Sequence, residues 1–350
     1  MIWLAWRQFR TQAVVAAAAL AAVAAALAVT GLRLSHLYRT SGLASCQAHG
    51  DCGQLATGFL NQLAAGRAHY YYMIFILGAV LLLVAPALIG MFWGAPLITR
   101  EIETGSFRLA WNQSVTRTRW LAVKLGLVGL ASMTAAGLLS LMLAWWSSPI
   151  ERATDLAVSR TGAATLNRFA PFLFAAGAIT PIGYAAFAFA LGVTAGVLIR
   201  RTVPAMAVTL AVFAAVQIAL PLWVRPYLMP PLHSTTALDA ASIPTLNITP
   251  TQMTITPGDS HPGAWIIANQ AVTGQGQVFA GAPPGPCMSS TAPYAECAAA
   301  INRLHLRQAL VYQPASRYWP FQWYETVIFL ALALALAGFC GWWIRRRRLC

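Results

Sequence analysis

"LITREIETGSFRLAWNQSVTRTRW", residues 97–120, gathers six charged side chains: Arg100, Glu101, Glu103, Arg108, Arg117 and Arg119. Residues 68–99 before it carry no Asp, Glu, Lys or Arg. After it, only Lys124 interrupts an uncharged run that lasts to Ile150. A polar interval between two long apolar runs is the pattern of a loop joining two membrane spans. The composition agrees: 58% of the chain is hydrophobic and 9% charged, where a soluble domain carries about 25% charged residues. A soluble fold would leave most of this apolar surface exposed to water, so the chain reads as an integral membrane protein.

Six segments reach the roughly 20 apolar residues that a span needs. They are 13–31, 72–98 with Pro86, 121–146, 171–199 with Pro181, 204–223 opening at Pro204, and 325–344. The fold class expected is therefore mainly α, a polytopic membrane protein with six transmembrane helices. The first run is longer than the core of a signal peptide, and the aromatic "MIWLAWRQF" ahead of it is unlike a leader's basic start. In residues 1–12, Ile2, Trp3, Trp6 and Phe9 recur at helical spacing while Arg7 and Arg10 are polar. That pattern predicts an amphipathic elbow helix on the membrane surface, held there by Trp3, Trp6, Arg7 and Arg10; the plainer alternative is a lengthened first span.

Charge orients the spans. With a cytoplasmic N-terminus and six crossings, the inner segments carry a net charge of +11 and the outer segments +3. Dense Arg in short inner loops is what the positive-inside rule requires. Both termini are then cytoplasmic, and residues 225–323 form the largest piece outside the membrane. The net charge of +14 is not organised into a basic module that could track phosphates, so nucleic acid is not an expected partner.

The segment 225–323 is rich in Pro, Gly, Thr and Ser, and "TQMTIT" and "GAWIIANQAV" alternate as short strands do. A small mixed domain between spans five and six is expected, closed by a helix near 293–310. Cys46 and Cys52 fall in one outer segment and Cys287 and Cys297 in another. Close pairs outside the cytosol can oxidise, which predicts the disulfides Cys46–Cys52 and Cys287–Cys297. "NIT" at 247–249 fits a glycosylation acceptor, a motif common by chance.

Catalytic patterns are sparse. The P-loop needs a Gly-rich frame around a phosphate-binding Lys; the single Lys, Lys124, sits in "AVKLG" without that frame. ATP-driven work then requires another chain. The span interiors hold no Asp or Glu, with Glu325 at an outer boundary, which weighs against an ion- or proton-coupled carrier. The pairs His49/Asp51 and Asp259/His261 are too few for a metal site, and no nucleophile elbow is present. A membrane sensor using the outer domain is a further alternative, although the short inner segments offer no signalling module.

The island itself mixes both signs of charge, which suits protein docking as well as a solvated loop. Its residues Arg100, Glu101, Glu103, Gly105 and Ser106, followed by Val115, Thr116, Arg117 and Lys124, resemble the acidic coupling motif of the permease subunit of a type-2 class ABC exporter. "VYQPASRYWPFQWYE" and the closing "RRRR" resemble actinobacterial members of that class. The resemblance implies an elbow helix at 1–12, spans one to five over 13–224, a coupling helix at about 98–113, an extracellular domain at 225–323, and span six with its basic tail at 324–350. It implies a non-catalytic transport subunit without cofactor, partnered by a nucleotide-binding ATPase that holds ATP and Mg. A second permease copy, as a homodimer, and the lipid bilayer complete the assembly. ATPase docking falls to Arg100, Glu101, Glu103, Gly105 and Arg108, and the location is a bacterial plasma membrane.

Overall fold

The computed structural model describes residues 2–46, 52–66, 68–104, 116–156, 167–240, 243, 245–249, 251–258, 261, 263–288 and 294–346. Six of its helices are long and apolar enough to cross a membrane. In chain order the helical part runs α1 (Ile2–Thr40), α2 (Cys52–Ala65), α3 (His69–Ile89), a π-turn at Gly90–Gly94, and α4 (Pro96–Thr104). It continues through α5 (Arg117–Leu156), the short α6 (Pro171–Ala175), α7 (Thr180–Ile199) and α8 (Thr202–Ala219).

Helix α7 is the centre of the bundle. It packs against α3, the π-turn, α4, α5 and α8, and against the C-terminal helix α11 (Tyr318–Arg346). In its apolar window 78% of residues are buried, against 6% for α1. Small residues make this possible. A Cβ on Gly94 would meet the Phe189 carbonyl at 2.6 Å, and one on Gly196 would meet the Ala95 carbonyl at 2.7 Å. The backbones of the π-turn and α7 therefore touch, as small residues allow between membrane helices. Helix α1 lies at the periphery and turns Val14, Val15, Val29 and Leu32 outward, as lipid contact requires. A polar tie joins it to the bundle: the Trp146 indole N–H donates to the Thr30 hydroxyl at 3.0 Å.

The sheet region follows α8. Strands β1 (Leu232–Ala237), β4 (Trp265–Val272) and β5 (Arg307–Gln313) form an antiparallel sheet in the order β1–β5–β4. Strands β2 (Thr245–Ile248) and β3 (Met253–Thr256) pair as a separate ribbon. Two short helices, α9 (Gly285–Met288) and α10 (Tyr294–Asn302), complete it. Leu238, Met253, Ile255, Ala271, Ile301 and Leu306 make its core. The two alternating segments singled out in the sequence are β3 and β4.

Three expectations are corrected. The elbow is not a separate helix: α1 is unbroken from Ile2 to Thr40. No Gly or Pro stands between residues 2 and 31 to interrupt it. The fourth span is not one continuous helix from 171: the short α6 ends at Ala175. Ala178 takes a left-handed conformation (φ 43°), and the helix restarts at Thr180 with Pro181 in its first turn, where a missing N–H costs nothing. Pro181 opens that helix and does not bend it. The helix near 293–310 ends at Asn302; residues 307–313 are the central strand β5, buried at Gln308, Leu310 and Gln313 between β1 and β4.

Candidate functional site

The charged island begins on α4, which continues the second span beyond the π-turn. The short helix "PLITREIET" buries Pro96, Ile98 and Thr99. Glu101 and Glu103 stand two positions apart, about 200° around a helix, so they face different neighbours. Glu101 faces α5 and forms an ion pair with Lys124, with side-chain exposures of 14% and 5%. The Lys124 ammonium also lies 4.9 Å from the centre of the Trp120 ring. On the opposite side, Glu103 accepts the backbone N–H and the hydroxyl of Thr202, each at 2.8 Å. The Thr202 hydroxyl also reaches the hydroxyl of Thr99 at 3.0 Å.

Thr202 is the first residue of α8, and the preceding Arg201 supplies no side-chain cap. A helix N-terminus has free N–H groups and a partial positive charge. Glu103 satisfies both from a neighbouring helix. The connection between α7 and α8 is only Arg200–Arg201, with Arg200 left-handed at φ 59°. The result is a clamp: α4 is tied to α5 through Glu101 and to α8 through Glu103, while its Ile98 is buried beside α7 residues such as Val193 and Val197.

The other sequence-singled residues fall as follows. Arg100 is exposed, with no hydrogen bond or ion pair to another described side chain. Gly105, Ser106, Arg108 and Val115 lie outside the described residues, as does the side chain of Arg117. Thr116 caps α5, accepting the Arg119 N–H at 3.4 Å. Arg7 and Arg10 are exposed on α1, and Phe9 between them is buried edge-on against Trp93 with ring centres 5.0 Å apart. That contact puts the start of α1 beside the π-turn that precedes α4. The side chains of Trp3 and Trp6 lie outside the described residues. The sulfurs of Cys46 and Cys52 are joined, with Cα atoms 5.9 Å apart. Those of Cys287 and Cys297 are joined with Cα atoms 4.6 Å apart, linking α9 to α10. His49, Asp51 and Asp259 lie outside the described residues. Among the described residues, no three His, Cys, Asp or Glu side chains gather as a metal site would need.

One charged constellation was missed in the sequence. At the sheet end of the bundle, Arg225 donates to Glu325 through both Nε (3.0 Å) and Nη2 (3.1 Å). Their side chains are 1% and 0% exposed. The Tyr184 hydroxyl donates to the same carboxylate, and the Arg225 guanidinium lies 4.1 Å from the centre of the Phe174 ring. Beside it, the Gln322 amide donates to the Phe174 carbonyl at 3.0 Å and accepts the Thr180 N–H at 3.3 Å. A lone Arg just after the fifth apolar run and a lone Glu at the start of the sixth stand at matching depth. That symmetry is the signal that was available.

The arrangement ties helices together at two ends of one bundle, through an enclosed ion pair and an exposed carboxylate at α4 and through a fully buried pair at the sheet end. Comparison with known proteins agrees with a membrane machine. The family model described as ABC-2 membrane transporter related matches residues 17–225, from within α1 to the buried arginine. No curated protein and no solved structure matches the chain.

Proposed function

Because the chain belongs to the ABC-2 membrane transporter related family, and so is a multi-pass permease subunit of an ABC transporter, we propose that it works in an ATP-driven exporter. In that reading it forms the substrate pathway with a second copy of itself and takes its energy from a separate nucleotide-binding subunit carrying ATP and Mg. The island end of the bundle is cytoplasmic, and the sheet region is extracellular. The basic charge around α4 and the C-terminal Arg run support that orientation.

The observation that carries the coupling step is the clamp on α4. A helix docked to an ATPase moves the bundle only if it is fixed to the spans. Glu101 ties α4 to the third span and Glu103 ties it to the fifth. The docking surface is then the exposed tip of α4 at Thr104, together with the segment containing Gly105 and Arg108. Glu101 and Glu103 act as transmission, holding the docked helix to the spans it drives. Lys124, the chain's single lysine, is committed to Glu101, which supports placing phosphate chemistry on the partner.

Purification of the tagged chain from native membranes tests this reading. The expected result is a stoichiometric P-loop ATPase in the complex. A chain that transports without any ATPase would overturn it. An ion-coupled carrier gains no support from Glu325, since that carboxylate is held by Arg225 and Tyr184.

A further inference from the structure

A groove of about 580 Å³ runs between α1, α3, the π-turn, α5 and α8. Most of its wall is apolar, including Val15, Ala19, Val23, Leu81, Ala85 and Leu139. At the α4 end the lining changes to Thr11, Gln12 and Arg100. A second recess of about 230 Å³ opens there, sharing Gln12, Trp93, Pro96 and Arg100 with the groove and adding Lys124 and Glu101. The two cavities therefore meet at Arg100 and Gln12.

The charges at this junction are not equal. Lys124 and Glu101 neutralise each other. Glu103 is close enough to feel Arg100 but is occupied by Thr202. Arg100 keeps its guanidinium donors free of described protein acceptors, and the Gln12 amide likewise makes no hydrogen bond within the described residues. From Gln12 to Val23 the helix rises about 16 Å, at 1.5 Å per residue. That is close to half of a hydrocarbon core of about 30 Å, the depth of one leaflet.

We propose that this groove binds an anionic phospholipid, with its phosphate on Arg100 and Gln12 in the small recess and an acyl chain along α1 and α3. The ligand comes from the bilayer, because the apolar branch would be left empty by a soluble phosphate. A planar guanidinium matches phosphate oxygens two at a time, which gives the site a preference for charge as well as for chain. This goes beyond the transport reading and does not depend on ATPase coupling.

The test uses the full chain in nanodiscs containing phosphatidylglycerol and phosphatidylcholine in equal amounts, followed by mass spectrometry of the lipids retained on release. Wild-type protein is expected to retain phosphatidylglycerol selectively. Arg100→Gln should lower that selectivity about tenfold, the scale of one charge-assisted hydrogen bond. Arg100→Lys should keep much of it. Arg303→Gln, at an exposed position in the sheet region that lines neither cavity, should change nothing. Equal retention of the two lipids, or an Arg100→Gln variant matching wild type, would overturn the proposal. So would displacement of the lipid by millimolar inorganic phosphate, which would mark a site for the headgroup alone. A phosphatidylglycerol with a photoreactive tail tests wild-type protein directly. Adducts should concentrate on residues 15–23 and 81–88; labelling spread evenly to Val29 and Leu32 would contradict the site.

Discussion

The carboxylate of Glu103, on the last turn of α4, caps α8 by accepting both the N–H and the hydroxyl of Thr202 at 2.8 Å. Residues 99 apart in sequence are thereby joined at one end of the bundle. Losing an acceptor at a helix N-terminus leaves its first N–H without a protein partner. Glu103→Ala should therefore lower the thermal unfolding temperature modestly. In a reconstituted complex it should leave ATPase binding intact while transport per ATP hydrolysed falls. Glu103→Gln, which keeps one acceptor oxygen, should fall between wild type and Glu103→Ala in both measurements.

The Glu101–Lys124 pair is more enclosed. Removing one partner of a buried pair strands the other charge, at a cost of about 3–5 kcal/mol; partial exposure of Glu101 places Lys124→Met at the lower end. The double variant Lys124→Met with Glu101→Gln should recover most of the loss. A double-mutant cycle read by denaturant or thermal unfolding gives the coupling, and additive single effects would mean that the pair does not hold α4 to α5.

The same logic applies with greater force at the sheet end. Arg225→Leu should destabilise by about 3–5 kcal/mol, since it leaves Glu325 buried and uncompensated. Tyr184→Phe, which removes one donor to that carboxylate, should cost about 1–3 kcal/mol. Replacing Arg225 and Glu325 together with Leu should be far milder than either single change. Unfolding measurements on the four proteins check this ordering.

Where the π-turn meets α7, backbone touches backbone. A Cβ at Gly196 would come within 2.7 Å of the Ala95 carbonyl and 3.1 Å of Thr99 Cγ2. Neither α4 nor α7 can yield without disturbing the clamp. Gly196→Ala should sharply reduce the folded yield in membranes, whereas Gly338→Ala, on an open face of α11, should be neutral or slightly favourable. Fluorescence-detected size-exclusion chromatography separates the two outcomes.

Most of the fold was legible because membrane spans are written in composition. Six apolar runs gave six helices, and the alternating runs at 253–256 and 265–272 gave strands. The boundaries were harder to see. Nothing in residues 2–40 breaks a helix, so the amphipathic start merged with α1. The helix expected near 293–310 ran into the first residues of β5, because a central strand is set by pairing on both edges, a long-range effect that local pattern does not carry. In the site, the island's position was clear from charge alone. The partners of its acids were not, since Thr202 is an ordinary polar residue until α8 begins there, and Lys124 entered only as the last residue of the coupling motif. The Arg225–Glu325 pair was hidden for the same reason: each residue resembled an interface charge until the fold brought 225 beside 325.

The central claim is that the α4 end of this permease docks the ATPase that drives it. A photoreactive amino acid placed at the exposed Thr104, at the tip of α4, tests it most directly. In native membranes, irradiation should yield one dominant adduct with a P-loop ATPase, while the same probe at Leu304 beside the sheet should yield none. No ATPase adduct from Thr104, or an ATPase adduct from Leu304, would contradict the account.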